Sequence, residues 1–304
     1  MRAPVVTDQV RLHATKLDAV SDEIDAVNVL KGSAAWDAAS EFDKEKNKDD
    51  FRQYDDACDR VKAFYAEQHA KQTLAYNVSI REAHSARPKV KMSVWAALEL
   101  LDQLVDESDP DTSVGQIEHL LQTAEALRRD RKPDWMQLVG LVHDLGKLLV
   151  FLGAEGQWDV VGDTFVVGCA FPRAIIYPDT FKLNPDSQDP GLSTECGIYE
   201  RGCGLDNVLL SWGHDEYIYD VMRRQSSIPK EGLSMLRYHS FYPWHREGAY
   251  RYLMGPGDEE QLRAVRVFNA YDLYSKSDAP PDKVALRPYY ERLIEKYCPG
   301  ELEW

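Results

Sequence analysis

A chain of 304 residues with 44% hydrophobic and 11% aromatic content carries enough apolar side chain for one large globular domain or two modest ones. Its 36 Lys and Arg against 51 Asp and Glu leave a formal charge of −15 and a pI near 5.0, which argues against a nucleic-acid groove or an anionic membrane as partner. No run of about 18 apolar residues occurs, and no basic segment followed by a short apolar one opens the chain, so a cytoplasmic protein without a membrane span is expected.

Residues 1–48 hold few aromatics, and Val10, Leu17, Val20, Ile24, Val27 and Leu30 can line one face of a helix. The charged run at 41–50 reads as a solvated linker, so 1–48 is expected to be a loosely ordered or peripheral extension and 49–304 the functional domain. Residues 55–76 are helical in pattern, with Val61, Phe64, Tyr65 and Leu74 as core candidates. A second helix over 94–105 runs into Asp106 and an acidic cluster containing Pro110, which stop it. Another spans 114–129 and carries His119 between Ile117, Leu120 and Leu121. Pro133 suits the first turn of a helix over 135–151, where Leu138, Leu141, Val142, Leu145, Leu148 and Leu149 recur at helical spacing. On one continuous α-helix His143 and Lys147 share a face, with Asp144 about 100° round.

Between 153 and 206 the helical period disappears. Segments 160–167 and 174–177 look extended, separated by Gly, Pro and Asn-Pro. A segment this long without regular structure is usually functional, and its aromatic content argues against disorder, so it is expected to cover a site. Helices resume at 206–212, 216–224, 231–239, 258–276 and 288–296. The expected fold class is mainly α, a helical bundle of roughly 250 residues with a small irregular or β-like insertion.

Several of these apolar helices carry residues that are costly to bury. His143, Asp144 and Lys147 must be paired, hydrogen-bonded or metal-bound, and His119, His214, His239 and Asp272 sit in similar surroundings. Four His and two Asp make a nitrogen and oxygen donor set suited to iron, manganese or another borderline divalent ion. Six ligands exceed the need of one catalytic ion and fit two octahedral ions sharing a carboxylate. Cys58, Cys169, Cys196, Cys203 and Cys298 form no Cys-x-x-Cys pair and are expected to be free thiols. His13, His69 and His84 lie in polar segments and are expected at the surface, while His245 is expected to be structural.

His119, His143-Asp144 and Asp272 follow one another in the H…HD…D order of the HD-domain superfamily. More specific words surround them: Leu138-Val139-Gly140-Leu141-Val142-His143-Asp144-Leu145-Gly146-Lys147, Val161-Gly162-Asp163-Thr164-Phe165, Ser211-Trp212-Gly213-His214-Asp215-Glu216-Tyr217, His239-Ser240-Phe241-Tyr242-Pro243-Trp244-His245 and Arg287-Pro288-Tyr289-Tyr290. Together they resemble the myo-inositol oxygenase family from about residue 49 to the end of the chain. One departure is Ile117-Glu118, where the family usually has Ser-Phe before the first ligand His.

The resemblance implies an HD-domain-like bundle with a mixed-valent Fe(II)/Fe(III) pair in each chain. One iron would take His119, His143, Asp144 and Asp272. Asp144 would bridge to the second, held by His214 and His239 and chelating two adjacent inositol hydroxyls. Arg52, Asp106, Glu107, Ser108, Lys147, Gly162, Asp163, His239, Ser240 and Lys276 would line the polyol site, with Lys147 and Asp144 as catalytic groups. The implied reaction is O2-dependent cleavage of myo-inositol to D-glucuronate by a monomer, with weak association to a glucuronate reductase. The alternatives are an HD-type metal-dependent phosphohydrolase and a catalytically silent scaffold.

Overall fold

The structure, a computed structural model, describes residues 35–38, 40, 42–46, 52, 54, 57–108, 115–277, 279 and 281–304. The amphipathic helix expected near the N-terminus, His13 and the acidic stop at 109–111 lie outside those residues. In place of one helix over 55–76 there are two, α1 (Asp59–Lys71) and α2 (Leu74–Ala86). The chain breaks because Thr73 Oγ1 accepts the Tyr76 N–H at 3.0 Å and caps α2. The adjoining Gln72 amide is buried and bonded at 2.7 Å to the Trp212 carbonyl.

Next come α3 (Val94–Leu101), α4 (Gln116–Arg129) and α5 (Asp134–Val142), followed after a long irregular segment by α6 (His214–Gln225) and α7 (Lys230–Tyr238). The short α8 (Tyr242–His245), α9 (Asp258–Tyr274) and α10 (Lys283–Tyr297) complete the α-helices among the described residues. Helix α4 packs on α5, α6 on α7, and α7 on α9, with Leu120, Leu138, Leu141, Ile218, Met235 and Phe268 among the buried side chains between them. Two short strands, β1 (Lys91–Met92) and β2 (Leu302–Glu303), pair antiparallel and tie the C-terminus to the start of α3. The architecture is the expected mainly α bundle. Among the described residues no helix is long and apolar enough to cross a membrane, and all five cysteines are free.

The described parts of the N-terminal region touch this bundle. Carbonyls of Trp36 and Ala38 accept from Lys132 Nζ at 3.2 and 2.7 Å, and the Phe42 ring stacks on Tyr271 with centroids 5.1 Å apart.

The insertion differs from expectation. Of residues 160–167, expected to be extended, only Val166 takes part in β pairing, as one isolated bridge to Leu210 rather than a strand. Residues 174–177 turn instead, ending at Tyr177 with φ 44°, and short 3-10 helices follow at Pro178–Leu183 and Pro185–Gln188. The prolines remove the N–H groups that a ladder needs. The helix expected over 206–212 is a single 3-10 turn, Leu205–Asn207, after which Ser211 N–H donates to the Phe165 carbonyl at 2.7 Å. A short apolar run such as Val208-Leu209-Leu210 carries too little period to separate strand from helix.

His69 and His84 are buried, not at the surface. His69 is 0% exposed and stacks on Phe181 at 3.9 Å, and His84 lies between the rings of Trp212 and Tyr217. Both occupy the inward edge of helices whose other faces are polar, which disguises them in sequence. Thr180 gives its own hydroxyl proton to the Tyr177 carbonyl, so His69 Nδ1 donates to Thr180 Oγ1 at 2.6 Å, leaving Nε2 without a partner. A second proton there would be buried and unpaired. Burial accordingly lowers the His69 pKa to about 3. The unfolded chain protonates near 6.5 and the folded chain does not, so this contribution is complete above that value and is lost as pH falls toward 3. We expect His69→Phe to narrow the stability difference between pH 7 and pH 5 by about 2 kcal/mol, read by urea denaturation at both pH values. An unchanged difference would contradict this.

Candidate metal centre and active site

The helix expected to run through 135–151 changes form at its functional residues. Helix α5 ends at Val142 and the chain tightens into a 3-10 run, His143–Phe151. Residues three apart are eclipsed in a 3-10 helix, so the partner of Lys147 is Asp144, at 2.9 Å between Nζ and Oδ2, rather than His143. Gly146 lies in this run against the first residue of α6. A Cβ at Gly146 would sit 2.0 Å from the His214 carbonyl oxygen, so only glycine allows the two backbones to meet so closely.

That close approach brings one end of several elements together. His119 comes from the first turns of α4, His143 and Asp144 from the 3-10 run, and His214 from the start of α6. His239 follows the end of α7 directly, and Asp272 lies in the last turn of α9. All six side chains are buried. Asp144 is at the middle: Oδ2 lies 3.8 Å from His119 Nε2 and 3.6 Å from His143 Nε2, and Oδ1 lies 3.5 Å from both His214 Nε2 and His239 Nε2. Asp272 Oδ1 is 3.1 Å from His119 Nε2 and 3.2 Å from His143 Nε2.

The rings of His143, His214 and His239 are fixed in one tautomer. Each Nδ1 lies 2.8–3.0 Å from a backbone carbonyl, of Gly140, Val160 and Leu236 respectively. A carbonyl only accepts, so Nδ1 carries the proton and Nε2 turns a lone pair to the cluster, the arrangement that orients metal-binding histidines. Nε2 of His143 and of His239 has no hydrogen-bond partner despite complete burial. Burial opposes the charge of Asp144 and Asp272, yet Lys147 and His143 at the first, and His143 and His119 at the second, hold both carboxyls well below the usual range. Burial also works against protonation of His143 and His214, but Asp144 and Asp215 raise them. Fixed lone pairs facing ionised carboxylates create a demand for positive charge. Three overlapping His and Asp groups could hold a metal ion: His119, His143 and Asp272; His143, Asp144 and His239; His214, Asp215 and His239. The donor set has no thiolate and suits iron or another borderline divalent metal.

Asp215 is the residue that sequence reasoning missed. It follows His214 at the start of α6, where an acid is readily assigned to the helix dipole, yet its Oδ1 lies 3.0 Å from His214 Nε2 and 3.3 Å from His239 Nε2.

Above the cluster opens a cavity of about 580 Å³ including the open solvent at its mouth, lined by Arg52, Asp106, Ser108, Lys147, Gly162, Asp163, Ser240 and Lys276 together with His119, Asp144, His214, His239 and Asp272. Glu107 is the exception to the expected set. It is exposed, off the cavity wall, and its N–H donates to Gln157 Oε1 at 2.9 Å. Tyr54, Tyr65 and Tyr242 also line the cavity, although the sequence assigns none of them to the polyol site and places Tyr65 in the core. Glu118 turns back along its helix and accepts the Gly115 N–H at 3.4 Å, so the departure beside His119 points away from the cluster. His245 is buried and structural, with Nε2 2.9 Å from the His239 carbonyl.

The cavity cations face carboxylates. Arg52 forms a two-pronged pair with Asp163 at 2.7 and 3.2 Å while its guanidinium lies 3.4 Å from the centroid of Tyr242. Lys147 Nζ lies 2.8 Å from Asp106 Oδ2 and 2.9 Å from Asp144 Oδ2. Burial would lower the Lys147 pKa, but those two carboxylates outweigh it and hold the ammonium well above its usual value. Asp106 Oδ1 in turn accepts from the Ser108 N–H and hydroxyl at 2.8 and 2.6 Å. Gly162 adopts φ 92° beside Asp163, and a Cβ there would meet Gln68 and Phe64 at 2.8 Å. The result is a basin of charged and polar donors and acceptors over a metal-binding floor. It suits a small polyhydroxylated molecule better than a phosphate, because Arg52 and Lys147 are already paired.

Residues 58–304 match the sequence model of a family described as Myo-inositol oxygenase. The chain is 48% identical over 265 residues to an inositol oxygenase of Danio rerio, covering 86% of this chain and 95% of that protein. It is 48% identical over 264 residues to an inositol oxygenase of Mus musculus, covering 85% and 92%, and 46% identical over 270 residues to an inositol oxygenase of Dictyostelium discoideum, covering 86% and 92%.

Proposed function

Because the chain belongs to the myo-inositol oxygenase family, we propose that its floor of four histidines and two aspartates holds two irons over which the cavity seats myo-inositol. Its activity is that of an inositol oxygenase, an oxidoreductase. The observation that carries the metal assignment is the convergence of inward-facing Nε2 atoms on the two oxygens of Asp144. The balance is one myo-inositol and one dioxygen giving D-glucuronate, a proton and water, with four electrons moving from the ring to oxygen. Two bound irons would supply Lewis acidity and a relay for the electrons that pass from the ring to dioxygen.

In this reading His119, His143, Asp144 and Asp272 hold one iron, and Asp144, His214 and His239 the other. Asp106, Ser108, Asp163, Ser240 and Lys276, with the backbone at Gly162, offer hydrogen bonds around the ring, and an isomer with one hydroxyl inverted would leave buried partners unmatched. Arg52 positions Asp163 and, with Tyr54 and Tyr242, closes the rim. Lys147 is charged, so it donates. It steadies the Asp144 carboxylate and presents a proton to an oxygen of the bound polyol. The insertion between 153 and 206 supplies Gly162, Asp163 and the packing beneath them, and so excludes water from that wall. We further propose residues 49–304 as the catalytic domain, 1–48 as a peripheral extension, and a cytoplasmic monomer whose aldehyde-bearing uronate is the substrate type a glucuronate reductase consumes.

The test is to supply purified full-length protein with iron, myo-inositol and limiting oxygen. One uronate should form for each dioxygen taken up. Phosphate release from nucleotides without oxygen uptake would instead favour the phosphohydrolase. For Lys147→Met we expect kcat to fall on the order of 10²-fold with metal content unchanged, checked by steady-state kinetics and metal analysis in parallel. Activity within a factor of two of the parent would remove Lys147 from the chemistry.

A further inference from the structure

We propose a second ligand site, apart from the polyol cavity, that takes a small monocarboxylate with an apolar aryl or alkyl body. It is a cavity of about 600 Å³ including the open solvent at its mouth, and it shares no lining residue with the polyol cavity. Its apolar wall is made by Leu149 and Phe151 of the 3-10 run, the following Leu152, Val90 and Trp304. Phe151 and Val90 are 40% and 47% exposed, so part of that wall meets water, which an apolar ligand body would displace.

The polar part of the lining is basic. Arg87 and Lys89 form no ion pair among the described residues. Arg87 gives one donor to the Gly153 carbonyl at 2.7 Å, and Lys89 Nζ donates to Nε2 and to the carbonyl of His84, each at 3.0 Å. The carboxylates that act on Lys89 through space are Asp220 and Glu303, and both are engaged elsewhere, Asp220 with Arg224 at 2.6 Å and Glu303 with Lys91 at 3.4 Å. In a chain of formal charge −15, two neighbouring cations without a carboxylate keep N–H donors for an anion.

Tyr217 is an independent sign of a ligand. Its side chain lines this cavity and is 0% exposed, and its hydroxyl has no hydrogen-bond partner. Arg224 and Asp220 act on that hydroxyl as they do on His84 and Lys89, which places it toward the basic end. A buried hydroxyl without a partner is costly, and a carboxylate held by Arg87 and Lys89 would give it an acceptor. A free phosphate would leave the apolar wall bare.

The test is equilibrium dialysis of labelled benzoate and hexanoate against iron-loaded, full-length protein, with oxygen excluded and myo-inositol saturating so that no carboxylate reaches the irons. One carboxylate should bind per chain, with benzamide and inorganic phosphate weaker by roughly 10-fold or more. The double variant Arg87→Gln, Lys89→Met should weaken benzoate by roughly 10-fold or more. Tyr217→Phe, which removes only the hydroxyl, should weaken it by about 3-fold, and it reads the site even if the double variant is unstable. Absence of binding of both carboxylates at millimolar concentration overturns the inference. Parental affinity in both variants, or benzamide bound as tightly as benzoate, overturns it as well.

Discussion

Replacing Asp144 with asparagine should reduce turnover on the order of 10³-fold or more and leave the chain unable to hold two metal ions together. Among the described residues Asp144 is the one carboxylate within 4 Å of all four inward-facing imidazoles, and each of its oxygens faces a different pair. Asparagine keeps the volume but loses the charge and turns an amide nitrogen toward one pair of imidazoles. A bridging anion contributes to both ions at once, so its loss affects both halves of the cluster. Lys147 keeps its bond to Asp106 at 2.8 Å, so the variant is expected to fold, and the deficit should appear in metal stoichiometry and kcat rather than in melting temperature. Two metal ions retained, with activity within 10-fold of the parent, would remove Asp144 from the bridging role.

A single methyl group at Gly146 should be nearly as damaging by a different route. The added Cβ of Gly146→Ala would stand 2.0 Å from the His214 carbonyl oxygen and 2.7 Å from its Cα. These are backbone atoms that cannot rotate away, so the 3-10 run and the start of α6 must separate. Overpacking of this kind costs typically 1–3 kcal/mol, and here the displacement falls on the seam that places Asp144 against His214. A misplacement of about 1 Å at reacting groups lowers rates about 100-fold. We expect Gly146→Ala to lose activity on that order and to release its second-site metal more readily, while Gly191→Ala, exposed and facing only the flexible Asp189 side chain, stays at the parental level. Parental kinetics in Gly146→Ala would show that the close approach is not needed.

The position of that seam explains how much of the molecule sequence could reveal. His119, His143, Asp144, His214, His239 and Asp272 stood out because apolar helical stretches do not carry such residues without a reason, and the structure gathers the six in one buried place. The 3-10 form of 143–151 was invisible, because the apolar residues there fit a 3.6-residue period as well as a tighter one and the cause lies across the fold at His214. Pairing of Lys147 with Asp144 rather than with the face of His143 was hidden for the same reason. Asp215 escaped notice because an acid at a helix start has an ordinary local explanation. His69 and His84 were misread because burial on the narrow inner edge of α1 and α2 depends on what packs there, Phe181 in one case and Trp212 in the other. The insertion was recognisable as non-helical from its prolines and glycines, but its aromatic packing of Phe165, Phe171 and Phe181 arises from contacts distant in sequence.

The most direct measurement is to load the metal-free chain anaerobically with ⁵⁷Fe(II), oxidise it partially and record its Mössbauer and electron paramagnetic resonance spectra with and without myo-inositol. The account predicts two irons per chain, magnetically coupled through Asp144, with the spectrum of one iron changed by the polyol. One isolated iron per chain, or two uncoupled irons indifferent to myo-inositol, would contradict it.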